Sequence, residues 1–318
     1  MKETLEILGL RVAPGDVGKT VLDLTLAGVA TKMPLFVFNG AHSGPTVVVT
    51  SGVHAAEYVA IATTYRLARE IDPAQLYGQL VIAPIVSMTS FAKRAIYIAP
   101  PDDKNLNRQF PGDPNGSFAQ QLAAWIFQNL IRRADTYIDL HGGDLNEALA
   151  PFSILRRTDN DDVYERSMAL AEAFGLPNIV VSVVGGSTTS AAAEAGIPAL
   201  LAEVGGQGLW TEADREQMYA GLLRTLAHLG LMRTSAPPAP GPTRVLNEFV
   251  WLRASHNGLW YPAVNIGDAV TEGQQVGHIE DFLGNVVEVA KSPVSGTVLF
   301  LVSTLAMNNG DPLLGIGV

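Results

Sequence analysis

Short β-branched apolar runs bounded by turn residues recur through the first two thirds of the chain, and between them apolar positions return at helical spacing. Residues 20–26 (TVLDLTL) and 35–38, set among Gly and Pro turns, predict an antiparallel entry sheet. Residues 45–50 (PTVVVT) predict a buried strand that feeds a helix over 57–71, where Ile61, Tyr65, Ala68 and Ile71 share one face. Further buried strands are predicted at 79–86, 136–140, 179–184 and 198–204, with helices over 118–132, 163–174 and 211–229. Alternating strands and helices predict an α/β fold, a mixed sheet flanked by helices. The pattern stops at 234–243 (TSAPPAPGPT), whose prolines favour an extended, semi-rigid linker. Beyond it, 244–318 has almost no helical periodicity, and Gly recurs between short Val, Ile and Leu runs. The expected organisation is an α/β domain over 1–233, the linker, and a small all-β domain over 244–318.

Four polar groups interrupt this apolar pattern, three where predicted strands end and one in a loop between apolar elements. His54 and Glu57 (SGVHAAE) lie where a strand gives way to a helix, the edge at which open α/β sheets bind ligands. An imidazole and a carboxylate three residues apart across such a turn can converge on one Zn²⁺. His141 (YIDLHGG) ends a second buried strand, and Asp139, two residues earlier on the same face, can hold its imidazole in one tautomer. The loop NLNRQFPG carries Asn107 and Arg108; the arginine fork suits a carboxylate and the asparagine can bond its second oxygen. Glu203 (LLAEVGG) breaks an otherwise apolar strand, where burial should raise its pKa into the range useful for a general base.

Composition narrows the reading. The 318 residues are 47% hydrophobic and 16% charged, which is a core-forming chain. A net charge of −10 removes the uniform basic field that nucleic acid or anionic lipid would need, so neither is an expected partner. With no cysteine, a metal must be held by His, Asp and Glu. No run approaches a membrane span and Glu3 and Glu6 interrupt the N-terminus, so the expected location is cytoplasmic.

In the order HxxE, LNR, DLHGG and AEVGG, these motifs resemble the succinylglutamate desuccinylase/aspartoacylase family of zinc carboxypeptidase-like hydrolases, over roughly residues 45–230. The resemblance implies one Zn²⁺ per chain on His54, Glu57 and His141, Asn107 and Arg108 as the clamp on a substrate carboxylate, and Glu203 as general base. It further implies Arg94 as the oxyanion-stabilising arginine, with Lys93 the less favoured neighbour. The implied reaction is hydrolysis of an N-acyl, chiefly N-acetyl, amino acid by activated water, in an enzyme expected to be a homo-oligomer.

One stretch departs from the pattern. Aspartoacylases carry a second arginine about ten residues before the base to read an acidic side chain, whereas this chain has Ser190-Ala191-Ala192-Ala193-Glu194. A neutral or basic substrate side chain is therefore expected, as in the related N-acetyl-diaminobutyrate deacetylases. Glu194 would be either the amine's partner or a solvent-facing helix residue, and Arg156 or Arg157 the substitute cation if an acidic side chain is read after all. A zinc carboxypeptidase for short peptides, or a binding protein that keeps the metal pocket without turnover, are the competing readings. The C-terminal segment looks like a lipoyl/biotinyl-type β-sandwich, but its turn (EDFLGN, from Glu280) has no lysine to carry a cofactor.

Overall fold

A computed structural model describes residues 2–233 and 236–318. Its centre is a nine-stranded mixed sheet in the spatial order Arg244–Leu246, Asn178–Ser182, Phe152–Arg156, Ala199–Glu203, Thr136–His141, His42–Ser51, Tyr77–Ala83, Val29–Asn39 and Asp16–Leu26. The four middle strands from Ala199–Glu203 to Tyr77–Ala83 run parallel. The predicted entry hairpin joins antiparallel beyond Tyr77–Ala83, and Phe152–Arg156 pairs antiparallel with Ala199–Glu203.

The middle strands are buried on both faces, which is why they read as unbroken apolar runs: Val47, Val48 and Val49 are all at most 1% exposed. One face packs on the helices Tyr58–Glu70, Asp161–Phe174 and Glu212–His228 through Leu67, Leu170 and Leu222. The other packs on Phe118–Asn129 and Thr188–Glu194 through Leu122, Ala191 and Ala192. Truncating any of these buried leucines to Ala would cost about 2–5 kcal/mol.

Residues after 248 form two further antiparallel sheets around Trp260, Val276, Ile279, Val298 and Leu314. The two regions exchange strands. Glu147–Leu149 pairs with Gly296–Val302 in a C-terminal sheet, while Arg244–Leu246 extends the central one. Of the predicted linker, residues 234 and 235 lie outside the described residues; residues 236–243 form no regular element.

Candidate active site

Three strands end together at one edge of the central sheet. In register, His141 lies beside Glu203, and Glu203 beside Phe152. The neighbouring His42–Ser51 strand stops before His54, and the Tyr58–Glu70 helix starts after Glu57. Glu57 is therefore the N-cap, one position earlier than the expected first helical turn. Its carboxylate makes no capping bond to the helix and turns into the site instead. There Oε1 lies 2.8 Å from His54 Nδ1 and Oε2 lies 2.9 Å from His141 Nδ1, while the Gly142 N–H donates to Oε2 at 3.1 Å. Gly142 has to be glycine, because a Cβ there would collide with the Val204 carbonyl on the adjoining strand exit.

The outer imidazole nitrogens are held by acceptors. His141 Nε2 faces Asp139 Oδ2 at 3.0 Å, and His54 Nε2 faces Asn105 Oδ1 at 3.0 Å. Asp139 is itself fixed by hydroxyls donated from Thr50 and Thr188 at 2.7 and 2.5 Å. With Nε2–H donated outward, both Nδ1 lone pairs point at the Glu57 carboxylate. Three acceptors facing one another need a cation between them, either protons on the imidazoles or a metal ion. One donor atom from each of His54, Glu57 and His141 falls within 4.8 Å of the others. Two imidazoles and a carboxylate are a donor set suited to Zn²⁺ with a fourth position open. In the protein alone, burial would raise Glu57, but His141 and His54 outweigh it and bring its pKa to about 2. Burial likewise disfavours a charged His141, and Glu57 and Asp139 more than reverse this, raising it well above the usual histidine value.

These residues border a cavity of about 480 Å³ that Asn107, Arg108 and Glu203 also line. Asn107 is buried, and its Oδ1 accepts the Thr188 N–H at 3.0 Å, which leaves its amide N–H groups to donate elsewhere. Arg108 donates to the Asn107 carbonyl at 2.7 Å, and burial lowers its pKa despite the nearby Glu203 carboxylate. Glu203 Oε2 is shielded from solvent and has no partner; burial raises the Glu203 pKa well above the carboxylate range.

Other expected residues lie elsewhere. Arg94 is exposed at the end of a short helix, in the left-handed conformation, and is not part of the cavity wall; Lys93 beside it is exposed too. Glu194, last in the Thr188–Glu194 helix, faces solvent and pairs with Arg156 at 3.5 Å. Of the two readings of Glu194, that placement fits the solvent-facing helix residue and not the partner of a substrate amine. Only Nη2 of Arg156 makes that pair, its Nη1 being buried without a partner, and Arg157 stacks on Tyr164 at 4.3 Å.

Sequence reasoning missed two walls of the cavity. One is aromatic: Phe152, Phe249, Trp251 and Phe300 form a chain of ring contacts at 5.8, 4.9 and 4.9 Å between centroids. Phe249, Trp251 and Arg253 alternate along one strand, a period-two signal visible in FVWLR; that this face meets the site depends on how the C-terminal sheets dock. The other is acidic. Asp144 and Glu147 follow directly after the HGG glycines, and burial first, then nearby carboxylates, raise them to about 9 and about 7.

Fold and site define a class: a hydrolase-type α/β chain with a His-Glu-His cluster that could hold a metal at the exits of its central strands. The chain belongs to the succinylglutamate desuccinylase/aspartoacylase family, whose catalytic domain matches residues 43–229, more than half of its length. It is 28% identical over 244 residues to the N-alpha-acetyl-L-2,4-diaminobutyric acid deacetylase of Halomonas elongata, covering 75% of this chain and 71% of that one. A succinylglutamate desuccinylase/aspartoacylase structure from Rhodobacter sphaeroides superposes with a TM-score of 0.84 at 26% identity, over 95% of both chains. The ectoine utilization protein EutE from Ruegeria pomeroyi shares the fold with a TM-score of 0.86 at 24% identity, over 96% of this chain and 97% of that one.

Proposed function

We propose that this chain is a zinc-dependent amidohydrolase that removes the acyl group, chiefly acetyl, from N-acyl amino acids with a neutral or basic side chain. The observation that carries this reading is the convergence of the His54, Glu57 and His141 donor atoms within 4.8 Å, on a cavity shared with Glu203, Asn107 and Arg108. Family membership supports amide hydrolysis, and the Halomonas relative's named substrate supports an acetylated diamino acid.

When bound, zinc supplies Lewis acidity toward water and the acyl carbonyl. Glu203 takes a proton from the attacking water and returns it to the leaving amine. Arg108 and the Asn107 amide bind the substrate α-carboxylate and so fix the scissile bond against the metal side of the cavity. Arg94 is kept as the oxyanion's partner on family resemblance; from its exposed position it would have to fold inward over bound substrate. The C-terminal unit covers the cavity through Phe249, Trp251, Arg253 and Phe300. Its exposed turn, with Phe282 and Leu283 at 80% and 88% solvent exposure, carries no lysine, which favours the covering role over cofactor carriage.

Metal analysis together with a screen of N-acetyl amino acids against dipeptides tests the reading. Faster dipeptide cleavage would make the protein a carboxypeptidase, and stoichiometric metal without turnover would make it a binding protein. Within the screen, N-acetyl-diaminobutyrate should exceed N-acetylaspartate in kcat/KM by at least ~10-fold, a discrimination of only ~1.4 kcal/mol. Arg157 stacks on Tyr164, so a ratio favouring N-acetylaspartate would point to Arg253 in the cavity wall, or to Arg156, whose Nη1 is buried without a partner, as the reading cation.

Arg108→Lys should lower kcat/KM by ~10-fold or more, because an ammonium keeps the charge but loses the two-pronged bond. The check is to compare each N-acetyl amino acid with its α-carboxamide. Equal hydrolysis of both by the wild-type enzyme would remove the carboxylate clamp.

A further inference from the structure

The acidic wall of the cavity has a defined geometry. Asp144 is 1% exposed and almost every polar atom it owns is committed. Its N–H donates to Glu147 Oε2 at 2.9 Å, and its carbonyl accepts the N–H groups of Glu147 and Gln207 at 3.2 and 2.9 Å. Its Oδ2 accepts the Tyr97 N–H at 3.0 Å. Oδ1 alone is buried without a partner, in a side chain that borders the substrate cavity. Glu147 borders the same cavity. Among the described residues no Lys, Arg or His forms an ion pair with either carboxylate; the nearby ion pairs join only His54, Glu57, His141 and Asp139. Arg253, the cation in that wall, donates instead to the Gly310 carbonyl and lies 5.8 Å from the Trp251 ring.

A buried acceptor left unsatisfied is destabilising, and native proteins keep few of them. Here the surrounding bonds hold one carboxylate oxygen and leave the other, Oδ1, unsatisfied in a side chain that borders the cavity. Such a preorganised acceptor suits a donor that arrives with the substrate.

We propose that Asp144 Oδ1, with Glu147 beside it, is the acceptor for a side-chain ammonium of the substrate, so that the preferred substrate is an N-α-acyl diamino acid. This rests on the deacylase reading above and assigns to Asp144 and Glu147 the role that the sequence suggested for Glu194.

The test uses purified wild-type protein, Asp144→Asn and Glu147→Gln. Each variant keeps an oxygen for its present backbone partner but cannot become the carboxylate that pairs with an arriving ammonium, and in Asp144→Asn the new amide would turn a donor toward the ammonium. Calorimetric binding of free 2,4-diaminobutyrate is compared with that of homoserine, which puts a hydroxyl in place of the amine, and kcat/KM is measured on their N-α-acetyl forms. Wild-type protein should favour the diamino compound by ~10-fold or more in both measurements, the scale of one charge-assisted hydrogen bond. Asp144→Asn should abolish that preference while leaving homoserine binding within ~3-fold. Equal wild-type affinity for the two compounds, or a parallel loss of both in Asp144→Asn, would overturn the assignment. If Asp144→Asn does not fold, the same comparison in Glu147→Gln decides. Should neither acetyl compound be hydrolysed, the deacylase reading fails, and the binding preference still decides whether these carboxylates read an amine.

Discussion

Replacing Glu203 with glutamine should lower kcat on the best N-acetyl amino acid by at least ~10²-fold while zinc content and folding are retained. Glutamine has the shape of glutamate, and Glu203 ends its strand in register with His141 and Phe152, so the backbone has no reason to move. Its Oε2 makes no bond that the amide would break. Burial works against the charged carboxylate, which raises its pKa, so a neutral isostere should hold or slightly raise the melting temperature. What the amide cannot do is accept a proton from water or return one to the leaving nitrogen. The loss should fall on kcat, with KM changing little, because Asn107 and Arg108 still bind the carboxylate. Wild-type kcat in this variant would remove Glu203 from the chemistry.

Much of the site was legible in the sequence because most of its polar groups follow or end an apolar strand, and strand ends on one sheet edge converge once the strands are parallel. His141 and Glu203 are readable in this way, since the parallel register of Thr136–His141 with Ala199–Glu203 brings them side by side. Helix ends were legible to within a few residues. The strand Glu147–Leu149 and the short helices Met88–Lys93 and Thr188–Glu194 were not. Glu147–Leu149 is too short to show a period and exists because the C-terminal strand Gly296–Val302 pairs with it. Thr188–Glu194 spans two turns, and its N-terminus is tied down by Thr188, which bonds both Asp139 and Asn107. Those contacts join segments about fifty and eighty residues away, and local pattern carries no trace of them. The aromatic and acidic walls escaped for the same reason. Phe249 and Trp251 show their shared face in the sequence, but the surface they face is decided by the exchange of strands between the two regions.

His54→Ala should strip the protein of zinc, with metal affinity falling by ~10²-fold or more, and activity should fall in proportion to bound metal. His54 is the informative ligand to remove. His141 and Glu57 are 1% and 4% exposed in their side chains, and His141 also hydrogen-bonds buried Asp139. Deleting either would leave an unpaired buried carboxylate or imidazole, a change worth several kcal/mol of folding, so metal loss and unfolding would be confounded. The His54 side chain is 14% exposed, and it bonds outward only to Asn105, whose amide can turn to solvent in the widened cavity. The fold should therefore survive, leaving Glu57 and His141 as a two-residue site. Two ligands cannot close the coordination that three provide, whereas loss of an outer partner such as Asp139 weakens binding by only ~10–100-fold. Elemental analysis after dialysis against metal-free buffer, with circular dichroism alongside to establish folding, gives the result directly. Stoichiometric zinc in folded His54→Ala protein would show that the metal is held elsewhere.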